Sequence, residues 1–148
     1  MVWNRFVARL SAGCVVLSLV MALGCGESVP KGVIVKGKVV KGGEALKVNR
    51  PEVGVGWVQV DLIPDGKTDY SETTRAKADG SFEFLGEGKG IPAGKYKVAV
   101  YHYENGPPTD MLQGAFSAAN SSLVIDVPQD KTGSSHDVGS LDVTGPAK

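Results

Sequence analysis

From residue 33 onward the chain is written largely with a period of two. Val33, Val35, Gly37 and Val39 alternate with Ile34, Lys36, Lys38 and Val40, and the lysines mark the wet side of a first strand. Gly42-Gly43 signals a turn, and residues 44 to 54 read as irregular, with Pro51 excluding a central strand. Val55 to Ile63 predicts a second strand with Val58, Val60 and Leu62 inward and Trp57, Gln59 and Asp61 outward. Pro64-Asp65-Gly66 ends it, and the polar, β-branched run from Tyr70 to Ala78 reads as a third strand near a sheet edge.

Asp79-Gly80 is a hairpin signal, and Ser81 to Leu85 sends Phe82 and Phe84 to one face. Lys95 to Tyr103 is the clearest strand, with Tyr96, Val98 and Val100 inward and Lys95, Lys97, Tyr101 and Tyr103 outward. After a long irregular segment, Leu123, Ile125 and Val127 alternate again, and a last strand from His136 to Val143 turns Leu141 and Val143 inward. Residues 110 to 119 carry only a weak helical or turn signal, broken by Gly114. Seven short strands joined by turns predict an all-β domain, a seven-stranded Greek-key sandwich of two sheets.

The first 24 residues follow another logic. Arg5 and Arg9 precede an uncharged run from Leu10 to Leu23, too short for a bilayer span of about 20 residues but suited to a secretory leader. Ala22-Leu23-Gly24-Cys25 resembles the lipobox of bacterial lipoproteins, with the usual Leu-Ala order transposed. That resemblance implies cleavage between Gly24 and Cys25 and a diacylglycerol thioether on Cys25. Gly24 is small enough to admit the scissile bond, and only a thiol can form the thioether. Cys14, in a similar Ser-Ala-Gly-Cys run, lies too early to leave an apolar stretch before it and reads as part of the leader. The expected organisation is a leader over 1–24, a lipidated tether over 25–32, a sandwich over 33–144 and a short tail over 145–148. Gly26, rather than Asp, after the cysteine points to the outer membrane.

Composition narrows the chemistry. Sixteen basic and sixteen acidic residues give the 148-residue chain no net charge, which offers no field for nucleic acid. Arg5 and Arg9 lie in the leader, so the remainder is mildly acidic. It also keeps no second cysteine for a disulfide, so core burial alone must hold the fold.

The motifs V-Q-V-D-L-I-P-D, A-D-G-S-F-E-F, I-P-A-G-K-Y-K-V-A-V and the closing S-L-V-I-D-V-P and S-L-D-V resemble a carboxypeptidase regulatory-like domain, a transthyretin-like (prealbumin-like) sandwich. The likeness covers roughly residues 33 to 144. It implies a fold defined by packing positions and no shared catalytic set. Gly86, Gly88, Lys89 and Gly90 do not form a phosphate loop, because Ile91-Pro92 and a strand follow where a helix is needed.

No constellation completes an active site. His102, His136, Asp137 and the serines lack a nucleophile elbow, and the C-terminus lacks the Tyr-Arg-Gly-Ser ending of hydroxyisourate hydrolases. His102 sits at the inward parity of a strand end and reads as a rim residue. Tyr101-His102-Tyr103 has an iron-dioxygenase flavour, but alternation splits the tyrosines from the histidine. Asp61, Asp65 and Asp69 lack the spacing of a calcium loop. Lys36 or Lys38 with Asp142 and Glu83 is the candidate set for an isopeptide bond of the Cna B type, yet all four fall on the polar side of their strands, whereas that chemistry needs a desolvated site.

What remains is the outward set Trp57, Tyr101 and Tyr103, able to anchor a protein partner or stack on sugar rings. The sequence therefore predicts a non-enzymatic, lipid-anchored envelope protein acting as a structural or protein-interaction module. A carbohydrate-binding accessory domain is the alternative. No cofactor, metal or nucleic acid is expected, and the membrane is reached through the lipid.

Overall fold

The computed structural model describes residues 31–66 and 71–145, so Gly24, Cys25, the leader, Asp69 and Tyr70 lie outside the described residues. Two sheets pack face to face. In the first, β1 (Ile34–Lys41) is flanked on one edge by β2 (Glu44–Ala45) and β5 (Ser81–Phe84) and pairs in parallel with β8 (Ser135–Asp142). The second runs in the order β4 (Glu72–Ala76), β3 (Trp57–Pro64), β6 (Gly94–Tyr103), β7 (Val124–Val127), all antiparallel.

The described residues thus contain eight strands where the sequence predicts seven. The extra one, β2, is two residues long and closes the Gly42-Gly43 turn, pairing Val40 with Ala45. It lies inside the stretch read as irregular. A two-residue strand has no periodicity to detect, which is why alternation misses it. Pro51 opens a short 3-10 turn, Pro51–Val53, and not a strand.

Alternation places the core correctly wherever strands are long. Val33, Val35, Val39, Val60, Leu62, Val98 and Val100 are fully buried, and Phe82 and Phe84 meet edge to face at 5.7 Å between ring centroids. Their spacing of two puts both rings on the same inward face of β5. Tyr96 fills the inter-sheet space and donates its hydroxyl to the Pro92 carbonyl at 2.7 Å, giving a buried phenol its partner.

The Asp79-Gly80 turn forms, with the Gly80 N–H on the Lys77 carbonyl, but it does not close a hairpin within one sheet. β4 leaves it to pair with β3, and β5 leaves it to pair with β1. Phe82 and Phe84 pull β5 toward the core and onto β1, while the Thr74 hydroxyl still donates across the split to the Glu83 carbonyl at 3.0 Å. The turn is where the chain changes sheets.

Strand β8 breaks the simple parity. Its register against β1 slips between Lys36 and Lys38, which pair with Asp137 and Ser140. The extra residue is taken up at Gly139, held at φ 75 with its N–H on the Asp137 carboxylate. Such a bulge re-aims the strand, so Val138 packs toward the core before it and Leu141 and Val143 after it.

Residues 104 to 123 cap one end of the core. The Asp110 carboxylate accepts from the His102 and Leu112 N–H groups through Oδ1 and from Gly114 N–H through Oδ2. This staple swings Leu112 and Phe116 into the core and aligns the segment with the β6 edge, where Met111 N–H reaches the His102 carbonyl and Val100 N–H reaches that of Phe116. The edge beyond short β7 is thereby covered.

Neighbouring residues make a sharp test of this packing. Phe84→Ala empties a buried site and should cost about 3–5 kcal/mol. Leu85→Ala, at a side chain 51% exposed, should stay within about 0.5 kcal/mol. Equilibrium urea unfolding of the two variants distinguishes these outcomes.

Candidate functional site

Because Val58, Val60 and Leu62 point inward, the alternate residues of β3 share the outer face of the second sheet. The β3–β6 register sets Trp57 opposite Tyr103, Gln59 opposite Tyr101 and Asp61 opposite Ala99. On the other side of β3, Arg75 stands opposite Gln59 and Thr73 opposite Asp61. The structure therefore brings the three aromatic residues singled out in the sequence into one row.

The rings touch in sequence. Trp57 and Tyr103 lie 5.4 Å apart and tilted by 55°, and Tyr103 and Tyr101 lie 6.2 Å apart with their planes within 5° of parallel. The Arg75 guanidinium carbon sits 4.1 Å from the centroid of the Trp57 ring, a cation–π contact on one ring face. Trp57 thus has Arg75 over it and Tyr103 beside it. Its indole Nε1–H is buried and meets no acceptor among the described residues. Leaving such a donor unpaired costs about 1–3 kcal/mol, and buried groups in that condition call for a reason.

The row is half-buried, and part of its cover is residues 104 to 121. Ala118 N–H donates to the Tyr101 hydroxyl at 3.2 Å, and Lys97 Nζ donates to the Ala118 carbonyl at 3.3 Å. Gln59 Nε2 donates to both oxygens of Asp61, at 3.1 and 3.2 Å. Burial, followed by the charges of Asp110, Tyr101 and Asp61, holds the Tyr103 phenol protonated above its usual 10.0. Sequence reasoning missed Arg75. A polar residue on an edge strand carries no mark of the aromatic it covers, because the pairing depends on register.

The other candidates are dispersed. His102 is buried, not on the rim: its Nε2–H donates to the Lys47 carbonyl at 2.7 Å beneath residues 44 to 48 and the Asp110 staple. His136 pairs with Val35 in the first sheet, whereas His102 lies on β6 opposite Val58 in the second, so the histidines share no site. Asp61 is taken up by Gln59, and no group of three potential metal ligands occurs among the described residues. Lys36 pairs with Glu83 at 3.1 Å in a solvent-exposed bridge lining a shallow depression of about 440 Å³ that also contains Lys38, Lys77, Ser81 and Asp137. Asp142 accepts from the Thr144 hydroxyl and the Gly42 N–H, bonds that hold its carboxyl below the usual range. These groups serve turns and surface pairs, and the polar side that alternation assigned them is the side they occupy.

No protein-family model matches the chain, and no curated protein matches it. Among solved structures it is similar to the major pilin subunit of Bacillus cereus, at 10% identity and a TM-score of 0.45. The similarity covers 77% of this chain and 30% of that one.

The contact between Trp57 and Tyr103 can be read in solution. In a Trp3→Phe background, Trp57 fluorescence should fall as Tyr103 ionises, with a midpoint above pH 10, and Tyr103→Phe should remove that step. The raised phenol also fixes the sign for stability: its contribution is complete below about pH 10 and is lost as pH rises through the folded-state value, because the unfolded chain deprotonates first.

Proposed function

We propose that the protein is a non-catalytic, lipid-anchored module of the cell envelope, exported by its leader and attached through Cys25 at the outer membrane. Its working surface is the outer face of the second sheet, where it binds a protein partner. The two-sheet architecture and the packing motifs of the transthyretin-like resemblance support the class of domain. The observation that carries the function is the row Arg75, Trp57, Tyr103 and Tyr101 on one sheet face. Trp, Tyr and Arg are the residue types that dominate binding energy at protein interfaces.

The geometry favours a protein over the carbohydrate alternative. A sugar needs an open ring face to stack on, and the largest ring of the row has Arg75 across it and Tyr103 against it. A protein partner carrying a carboxylate could draw Arg75 off the indole. That movement would free the ring and expose Nε1–H to an acceptor, relieving the unpaired donor.

The test is site-directed. A photo-crosslinking amino acid replacing Tyr101 should give a discrete protein adduct in intact cells, and the same residue replacing the exposed Lys38, on the outer face of the first sheet, should not. Arg75→Ala should reduce the Tyr101 adduct, and Cys25→Ser should abolish incorporation of a fatty-acid probe. Equal adducts from both positions would remove the assigned face, and labelling of the serine variant would remove the anchor.

A further inference from the structure

The strand directions give the sandwich two distinct ends. β1 starts at Ile34 and runs to the Gly42-Gly43 turn, and β8 runs beside it in the same direction. β5 runs back toward the start of β1, and β6 rises again from Gly94 to Tyr103. The start of β1, the loop after Phe84, the start of β6 and the loop after Val127 therefore share one end, while Trp57 and Tyr103 lie at the other. From Trp57 to Pro64, β3 spans about 24 Å at ~3.4 Å per residue.

The chain enters the described fold at the first end, held on both sides. Gly32 N–H donates to the Lys89 carbonyl, and Gly133 N–H donates to the carbonyl of Gly32 at 2.8 Å. Val33 and Ile91 exchange backbone hydrogen bonds at 2.8 and 2.7 Å, and Ile34 N–H reaches the Ser134 carbonyl at 2.9 Å. A side chain at Gly32 or Gly90 would run into the other's backbone, so two glycines allow this approach. From Cys25 to Lys31 the seven residues can reach at most about 25 Å.

We infer that the domain holds its aromatic row at the end far from the bilayer that anchors it, within reach of a protein lying beyond the lipid headgroups. This rests on the lipid-anchored reading above. The tether joins the end opposite Trp57, and its full extension only matches the length of β3. Among the described residues the near end carries no excess charge to hold it to the bilayer, since Lys31, Lys89, Lys95 and Lys131 are offset by Asp65, Glu87, Asp126 and Asp130. The lipid thus fixes one end and leaves the other free to meet its partner.

Energy transfer to the membrane tests the arrangement. Once the leader is removed, Trp57 is the single tryptophan. The lipidated protein, reconstituted into phosphatidylcholine vesicles carrying a dansyl lipid, is compared with a Trp57→Phe, Leu85→Trp variant that moves the donor to the near end, where residue 85 is exposed. Transfer from position 85 is expected to be several-fold more efficient than from Trp57. Equal transfer, or stronger transfer from Trp57, overturns the inference while leaving the anchor intact. Failure of the protein to float with the vesicles overturns the anchor itself and the inference with it.

Discussion

The first sheet depends on β1 being paired along both edges. Antiparallel β5 and β2 occupy one side and parallel β8 the other, and backbone hydrogen bonds continue this pairing to Gly32 at the near end and to Val143 at the far end. Its inward residues Val33, Val35 and Val39 are fully buried. An initial strand so enclosed cannot fray without exposing both its neighbours and the core beneath them. It also fixes the direction in which the chain joins the fold, and hence the end of the sandwich at which Lys31 enters.

The second sheet serves another purpose. Its central strands β3 and β6 are long enough to hold register over eight paired positions, and that register alone assembles the aromatic row. A one-residue slip of β3 would turn Trp57 into the core and Val58 and Val60 into solvent, and a slip of β6 would exchange Tyr101 and Tyr103 for Val98 and Val100 in the same way. The hydrophobic cost of that exchange sets the geometry of the face, so the aromatic row is a by-product of core packing. The edge arginine completes it without belonging to the core.

Much of this was legible in the sequence because period-two alternation is strong in β1, β3 and β6. The pairing of Trp57 with Tyr103 follows once those two strands are neighbours in antiparallel register. Other features had no local signature. The Asp79-Gly80 turn looks like a hairpin whether its strands stay together or part, and only the burial demands of Phe82 and Phe84 decide which. Leu112 and Phe116 enter the core from a segment without periodicity, held there by one carboxylate, Asp110, whose three backbone partners are set by the fold. The end of its strand marks His102 as a rim residue, but long-range coverage by residue 47 and its neighbours buries it.

Amide hydrogen exchange tests the central role of β1 most directly. If the strand is clamped from its first residue, the amides of Val33, Ile34 and Val39 should exchange only with global unfolding, at rates matching those of the buried β6 amides Val98 and Val100. Rapid exchange at Val33 and Ile34 while β6 stays protected would mean that the strand frays from its start, and would contradict both the clamp and the polarity built on it.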